Sequence, residues 1–177
     1  MNRPDFVNQL LVFEPTAVQR ILKRNEYIRT KNNTDTNIYF IESGSMRIFI
    51  EDGDAEQNIR FGYKGDLVVL MDSFLTGASS SYRIQALKKT SVTVISKTAL
   101  QQFIAAVPEN RKTWQLLLEQ LVLQLLEREK DILTGSPAER YRRLLQRSPR
   151  LFQEISNRHI ANYLRMSPET LSRLKKH

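Results

Sequence analysis

The densest chemistry in the sequence lies at its end, in "SPETLSRLKKH", Ser167 to His177. Glu169 and Arg173 stand four residues apart, so on a helix they share a face. Ser172 lies beside them, and Lys175 and Lys176 follow. The guanidinium of an arginine is a planar fork that fits paired acceptors. A carboxylate accepts from an amino group, and a lysine ammonium is a point charge. Together these side chains can do two things: neutralise phosphates with the lysines and touch base edges with Glu169, Ser172 and Arg173. The charge distribution agrees. From Ala138 to His177 there are ten Lys or Arg and three acids, against seventeen and sixteen in the rest of the chain. An excess of positive charge confined to one segment points to a polyanionic partner.

Other chemistries are poorly supplied. There is no cysteine, which excludes disulfides, thiolate-bound zinc, iron–sulfur clusters and thiol catalysis. The two histidines are His159, inside the basic segment, and His177, the last residue. A metal site built on several histidines, as a cupin-like enzyme would need, is excluded from everything before Arg158. No catalytic or metal-binding residues are therefore expected, and the chain reads as a binding protein and not an enzyme.

The basic residues need elements to hold them. Arg158 to Lys176 reads as two short helices joined by a tight turn, with Ile160, Ala161, Leu164, Leu171 and Leu174 facing inward and Met166 at the turn. Ser167 is placed to cap the second helix, and Pro168 fits its first position. This is the pattern of a helix-turn-helix. The candidate DNA-contacting set is Arg158, Ser167, Pro168, Glu169, Thr170, Ser172, Arg173, Lys175 and Lys176. Arg165 stands where such turns commonly use glycine, and a non-glycine residue at positive φ is disfavoured.

Upstream, Glu109 to Leu133 reads as one long helix. Its stripe, Trp114, Leu118, Leu121, Leu125 and Ile132, suggests a seam for a second copy of the chain, as in a short coiled coil. A wholly intramolecular helix is the alternative. Thr134-Gly135 ends it, and Ser136-Pro137 with Glu139 restarts a helix as a capping box. From about Asn25 to Ile95, short alternating segments such as "IYFIESGSMRIFIEDGD" predict a small antiparallel barrel or sandwich. Asp5 to Lys23 reads as short helices interrupted at Pro15. "MNRPDFVNQL" lacks the apolar core of a signal peptide, and no apolar run approaches the ~20 residues of a membrane span. A cytoplasmic protein without a membrane partner is expected.

A β-roll, a long helix, a hinge and a helix-turn-helix in this order resemble the Crp/Fnr transcriptional regulators. Gly44 and "KGD", Lys64 to Asp66, resemble the turn glycines of the cyclic nucleotide-binding fold, and "RHIANYLRMSPETLSRL" resembles the family's DNA-reading segment. The resemblance implies an α+β chain in three parts. Residues 1–108 form an antiparallel double-stranded β-helix, a jelly-roll-like sensory domain resembling the cyclic nucleotide-binding fold. Residues 109–134 form a dimerisation helix. Residues 135–177 form a small helical helix-turn-helix domain lacking the wing that many members carry. It also implies double-stranded DNA, a second copy of the chain and RNA polymerase as partners, with base contacts on Glu169 and Arg173. A module of this architecture that interacts with partners without binding DNA is the alternative.

The resemblance weakens at the ligand site. Members that bind cAMP place Gly-Glu after "GD" and an Arg-Ser pair further on. Here Val69 and Leu70 stand at the first pair and Ser80 and Ser81 at the second. Losing the ribose acceptor and the guanidinium removes the two strongest polar contacts, so cAMP is not expected as a cofactor and the effector is open. The candidate pocket is Arg60, Val69, Leu70, Ser79, Ser80, Ser81 and Arg83, with Arg60 or Arg83 left to supply a charge.

Overall fold

The alternating segments pair into two four-stranded antiparallel sheets. One has the order β1 (Val18–Leu22), β8 (Thr90–Ile95), β3 (Ile38–Ser43), β6 (Leu67–Val69). The other has the order β2 (Tyr27–Arg29), β7 (Arg83–Ala86), β4 (Ser45–Asp52), β5 (Ala55–Tyr63). The structure, a computed structural model, describes residues 3–29, 34–53 and 55–176. The last histidine, His177, lies outside the described residues.

Period-two alternation places Tyr39 and Ile41 of β3, Met46 and Ile48 of β4, Ile84 of β7 and Val92 of β8 between the sheets, where they form the roll's core. Gly44 links β3 to β4 with φ of +95°. A side chain there would strike the Thr90 backbone and side chain at 2.4–2.6 Å, so the turn admits only glycine.

Helices pack on one end of the roll. α1 (Arg3–Phe13), α2 (Met71–Thr76) and α3 (Lys97–Ala106) contribute Phe6, Leu10, Phe74, Leu100 and Phe103 to a second core that joins the roll to the long helix α4 (Pro108–Leu133). Val18–Leu22, which the sequence suggested as helical, is a strand. Its five residues pair with β8 in register from Val18 opposite Val94 to Leu22 opposite Thr90. Four of the five side chains are exposed, so neither period is legible in its apolar residues. The ladder to β8 decides the conformation.

Beyond α4 come α5 (Pro137–Arg147), α6 (Leu151–Glu154), α7 (Asn157–Tyr163) and α8 (Pro168–Leu174). They close on a third core of Leu144, Leu151, Ile155, Ile160, Ala161, Leu164 and Leu171. Ser136 caps α5 by accepting from the Glu139 amide at 3.3 Å. Only this half of the expected capping box is seen, because the Glu139 carboxylate pairs with Arg142. No helix among the described residues is long and apolar enough to cross a membrane.

Candidate nucleic-acid interface and ligand cavity

The α7–turn–α8 unit is built from short-range rules. Ile160 and Ala161 are fully buried, and the small Ala161 lets α8 cross closely, with Leu171 buried against it. Ser167 accepts from the Thr170 amide at 3.2 Å, and Pro168 opens α8. The turn needs one left-handed residue, and Arg165 supplies it with φ of +54°. Arg140, buried on α5, holds this turn in place. It donates to the carbonyls of Leu164 at 2.8 Å and Arg165 at 3.1 Å, and also to Thr134 at 2.6 Å and Gly135 at 3.1 Å. One guanidinium thus ties the helix-turn-helix turn to the hinge after α4, and these charge-assisted bonds offset the backbone strain at Arg165.

With Leu171 turned inward, Pro168, Glu169, Ser172, Arg173, Lys175 and Lys176 are exposed together along α8 and its end. Arg158 is exposed at the start of α7, Ser167 is exposed and Thr170 is half-buried. Hydrogen bonds from its own backbone amide and, less strongly, from Ser167 hold the Glu169 carboxyl below the usual range, so it is an acceptor. Lys175 donates to the Asn157 side chain at 2.9 Å.

This unit also rests on the roll. The Asn58 amide of β5 donates to the Asn162 side chain at 2.8 Å, and the Asn58 side chain donates to the His159 carbonyl at 3.1 Å. Asn162 donates back to the Glu56 carbonyl at 2.7 Å. Phe61 and Tyr163 meet with ring centroids 5.5 Å apart. Burial, with Arg47, Arg158 and Arg24 nearby and Glu56 opposing them, pushes the His159 imidazole down to about 4.

Between the roll, α4 and the C-terminal helices lies a cavity of about 580 Å³. Arg60, Val69 and Leu70 from the expected pocket line it, together with Tyr82, Trp114, Leu118, Leu121 and Arg128. The other pocket candidates sit elsewhere. Ser79 and Ser81 are exposed, Ser80 is buried and accepts from the Tyr82 amide at 3.0 Å, and Arg83 pairs with Glu51 at 2.6 Å. None of these four lines the cavity. Arg83 lies on β7 in the sheet opposite the β6 segment that carries Val69, and that strand placement cannot be read from sequence spacing.

The stripe on α4 divides. Trp114 stacks on Phe6 at 6.3 Å and packs against Phe74 at 6.1 Å. Leu118 and Leu121 are half-buried on the cavity side, Leu125 also lines the cavity though it is exposed, and Ile132 is exposed. The outward apolar line runs through Leu116, Leu123, Leu126 and Leu133.

Residues 19–107 match the family model of the cyclic nucleotide-binding domain. The chain belongs to that family. The match runs from β1 to the end of α3, so the cyclic nucleotide-binding domain is the roll itself. Solved structures extend the likeness of fold over the helices that follow. FixK2 from Bradyrhizobium japonicum is 21% identical with a TM-score of 0.76, covering 90% of this chain and 83% of its own. A CooA mutant from Carboxydothermus hydrogenoformans is 17% identical with a TM-score of 0.75, covering 93% and 77%. The Thermus thermophilus Catabolite Activator Protein is 22% identical with a TM-score of 0.55, covering 98% and 82%. These are regulators of the Crp/Fnr type, and this chain shares their fold. No curated protein matches the sequence.

Three groups that matter here were not singled out by sequence reasoning: Arg140, the Asn58–Asn162 pair and Arg128. Only Arg128 left a signal, as a charge interrupting an apolar stripe.

Proposed function

We propose that the chain is a homodimeric, sequence-specific DNA-binding transcription regulator whose roll senses a small molecule other than cAMP. The observation that carries this reading is the exposed face of α8, where Glu169, Ser172 and Arg173 stand on a helix anchored by the buried Leu171. We assign the base contacts to these side chains. Arg173 suits the two acceptors of a guanine, and Glu169 suits the amino group of a cytosine. Lys175 and Lys176 go to phosphates. The DNA is double-stranded, and RNA polymerase is the partner through which a regulator bound there would act.

The dimer would form through α4. Leu116, Leu123, Leu126 and Leu133 repeat with seven- and three-residue spacing, as a coiled-coil seam requires, and all four are exposed. Two copies of α8 related by such a seam would read an inverted repeat with half-sites about one helical turn apart. An effector other than cAMP is the better fit, because Val69 and Leu70 present apolar walls where the resemblance would need the ribose contact, and Ser80 and Ser81 stand where it would need the phosphate contact.

The test is selection of bound sequences from random duplexes, followed by titration of the selected site. Arg173→Ala is expected to cost about 1–3 kcal/mol on that site and to relax preference at one base pair per half-site. Neutralising Lys176 is expected to weaken binding to all sequences alike and to make the salt dependence shallower by about one unit. A variant at Arg173 that keeps full affinity and full preference would end the assignment of α8 as the reading helix. Leu123→Asp is expected to yield a monomer by sedimentation.

A further inference from the structure

Arg128 is a cation in an unusual place. It lies on α4 facing inward and is 8% exposed. Its guanidinium stacks on the Tyr163 ring of α7 at 3.7 Å, and Nη2 reaches the Asn58 carbonyl of β5 at 3.4 Å. Nη1 has no hydrogen-bond partner among the described residues. Two nearby carboxylates of its own helix, Glu127 and Asp131, pair with other cations, although Asp131 still favours the charged Arg128 at a distance. Asp131 is taken by Arg143 and Arg147, and Glu127 by Lys130 and Arg143. Burial pushes the Arg128 group down from its ordinary value, yet an arginine stays charged at neutral pH. A buried positive charge without a carboxylate is costly, and this one lines the large cavity.

The rest of the wall says what would accompany a compensating anion. Trp114, Leu117, Leu118, Leu121 and Val69 make an apolar stretch of it, and Arg60, Arg147, Asp66, Gln120 and Gln124 also line the cavity. Trp114 and Arg128 are fourteen residues apart on one helix, so the wall is about 21 Å long at ~1.5 Å per residue. Asp72, on α2 beside Phe74, also lines the cavity, and its Oδ1 has no partner among the described residues. Phe74 packs on Trp114, so Asp72 belongs to the end away from Arg128. That polarity favours an anionic head at Arg128 and an apolar body running toward Trp114.

We propose that the cavity binds an elongated organic monoanion, a carboxylate on an apolar body, with its head group on Arg128. This inference deepens the reading of the roll as a sensor and rests on it. Because Arg128 touches both β5 and Tyr163, an occupant there meets the roll and the helix-turn-helix unit at once. Its binding is therefore linked to the position of that unit.

The full chain is titrated with decanoate, 4-phenylbutyrate and decanol near neutral pH, followed by the fluorescence of Trp114. It is the single tryptophan and a wall residue of the cavity. At least one carboxylate is expected to saturate the signal, with decanoate binding roughly tenfold or more tighter than decanol, the size of one charge-assisted contact. Arg128→Gln is expected to erase that preference and leave decanol within about twofold, while Arg128→Lys keeps part of it. Equal affinity of the native chain for decanoate and decanol would overturn the proposal, and so would no saturable response to either carboxylate. That comparison needs only the native chain, so it decides even where Arg128→Gln fails to fold. The readout is independent of DNA, so failure to bind DNA and failure to bind the anion are separate results.

Discussion

Two of the joints that hold the C-terminal helical unit have opposite chemistry, beside the contacts of Arg150 and Glu154 with Lys64 and Lys88 of the roll. At the α4–α5 joint the groups are charged. Asp131, fully buried, accepts from Arg143 at 2.9 Å and from Arg147, and Arg140 binds four carbonyls across the hinge and the turn. At the α7–β5 joint they are mostly neutral amides, with Asn58, Asn162 and the His159 carbonyl exchanging three hydrogen bonds with the roll. Removing one member of a buried charged cluster strands the others, so such a joint resists opening. A neutral amide bond contributes about 0.5–1.5 kcal/mol net, because water replaces it well. The first joint therefore has the chemistry of a fixed hinge and the second that of a releasable contact. Arg128 sits at the releasable one.

The sharpest way to break this contrast is Asp131→Ala. It leaves two guanidiniums without their acceptor, and the expected cost is about 3 kcal/mol, the low end for a broken buried pair. That end applies because Arg143 and Arg147 keep 27% and 25% of their side-chain surface in water. Denaturant unfolding measures it, and a cost near zero would remove the distinction between the joints. Asn162→Ala comes next. It deletes two bonds to β5, for about 1–3 kcal/mol together. The expected outcome is faster amide exchange at Asn58 and along α7, with the roll's own unfolding midpoint unchanged.

The smallest effect is the pH response of the releasable joint. The neutral His159 ring can accept from the Asn58 amide group, 3.5 Å away at Nδ1. A protonated ring would turn a donor toward that donor. Its docked value of about 4 lies below the ordinary one, so the neutral ring is what docking favours. The stabilisation is complete above roughly pH 6.5 and declines as pH falls toward 4. The protection factor of the Asn58 amide, its exchange corrected for the intrinsic pH dependence, should fall over that window in the native chain and stay flat in His159→Gln. A protection factor that is flat in both would mean that the ring plays no part in docking.

Much of the frame was legible because it follows local rules. Alternation in "IYFIESGSMRIFIEDGD", the Ser136 and Ser167 caps, and the position of Arg165 each depend on a few neighbouring residues. The outward arc of α4 was not legible in the same way. This helix is apolar over most of its circumference, and periodicity cannot say which arc meets the roll. Trp114 and Leu118 were expected in an outer seam but lie against Phe6, Phe74 and the cavity. The expected pocket residues divide for a related reason: Arg60, Val69 and Leu70 line the cavity and the others do not. Ser79 to Ser81 and Arg83 are near Val69 in sequence, yet the crossover between sheets carries them away from it.

What the sequence alone determined is therefore the caps and turns of most elements and the chemistry of the terminal helix, because helix caps, turn glycines and an exposed basic face are encoded over a few consecutive residues; β1, which only its ladder to β8 makes a strand, is an exception. What only the tertiary structure decided is who shares an interior with whom. Arg128 is an ordinary surface-type residue until α4, β5 and α7 converge on it and bury it with no carboxylate in hydrogen-bond contact among the described residues. The cavity, the buried guanidinium and the two joints arise from packing between segments far apart in the chain, 104 residues in the case of Asn58 and Asn162, and no local pattern records such distances.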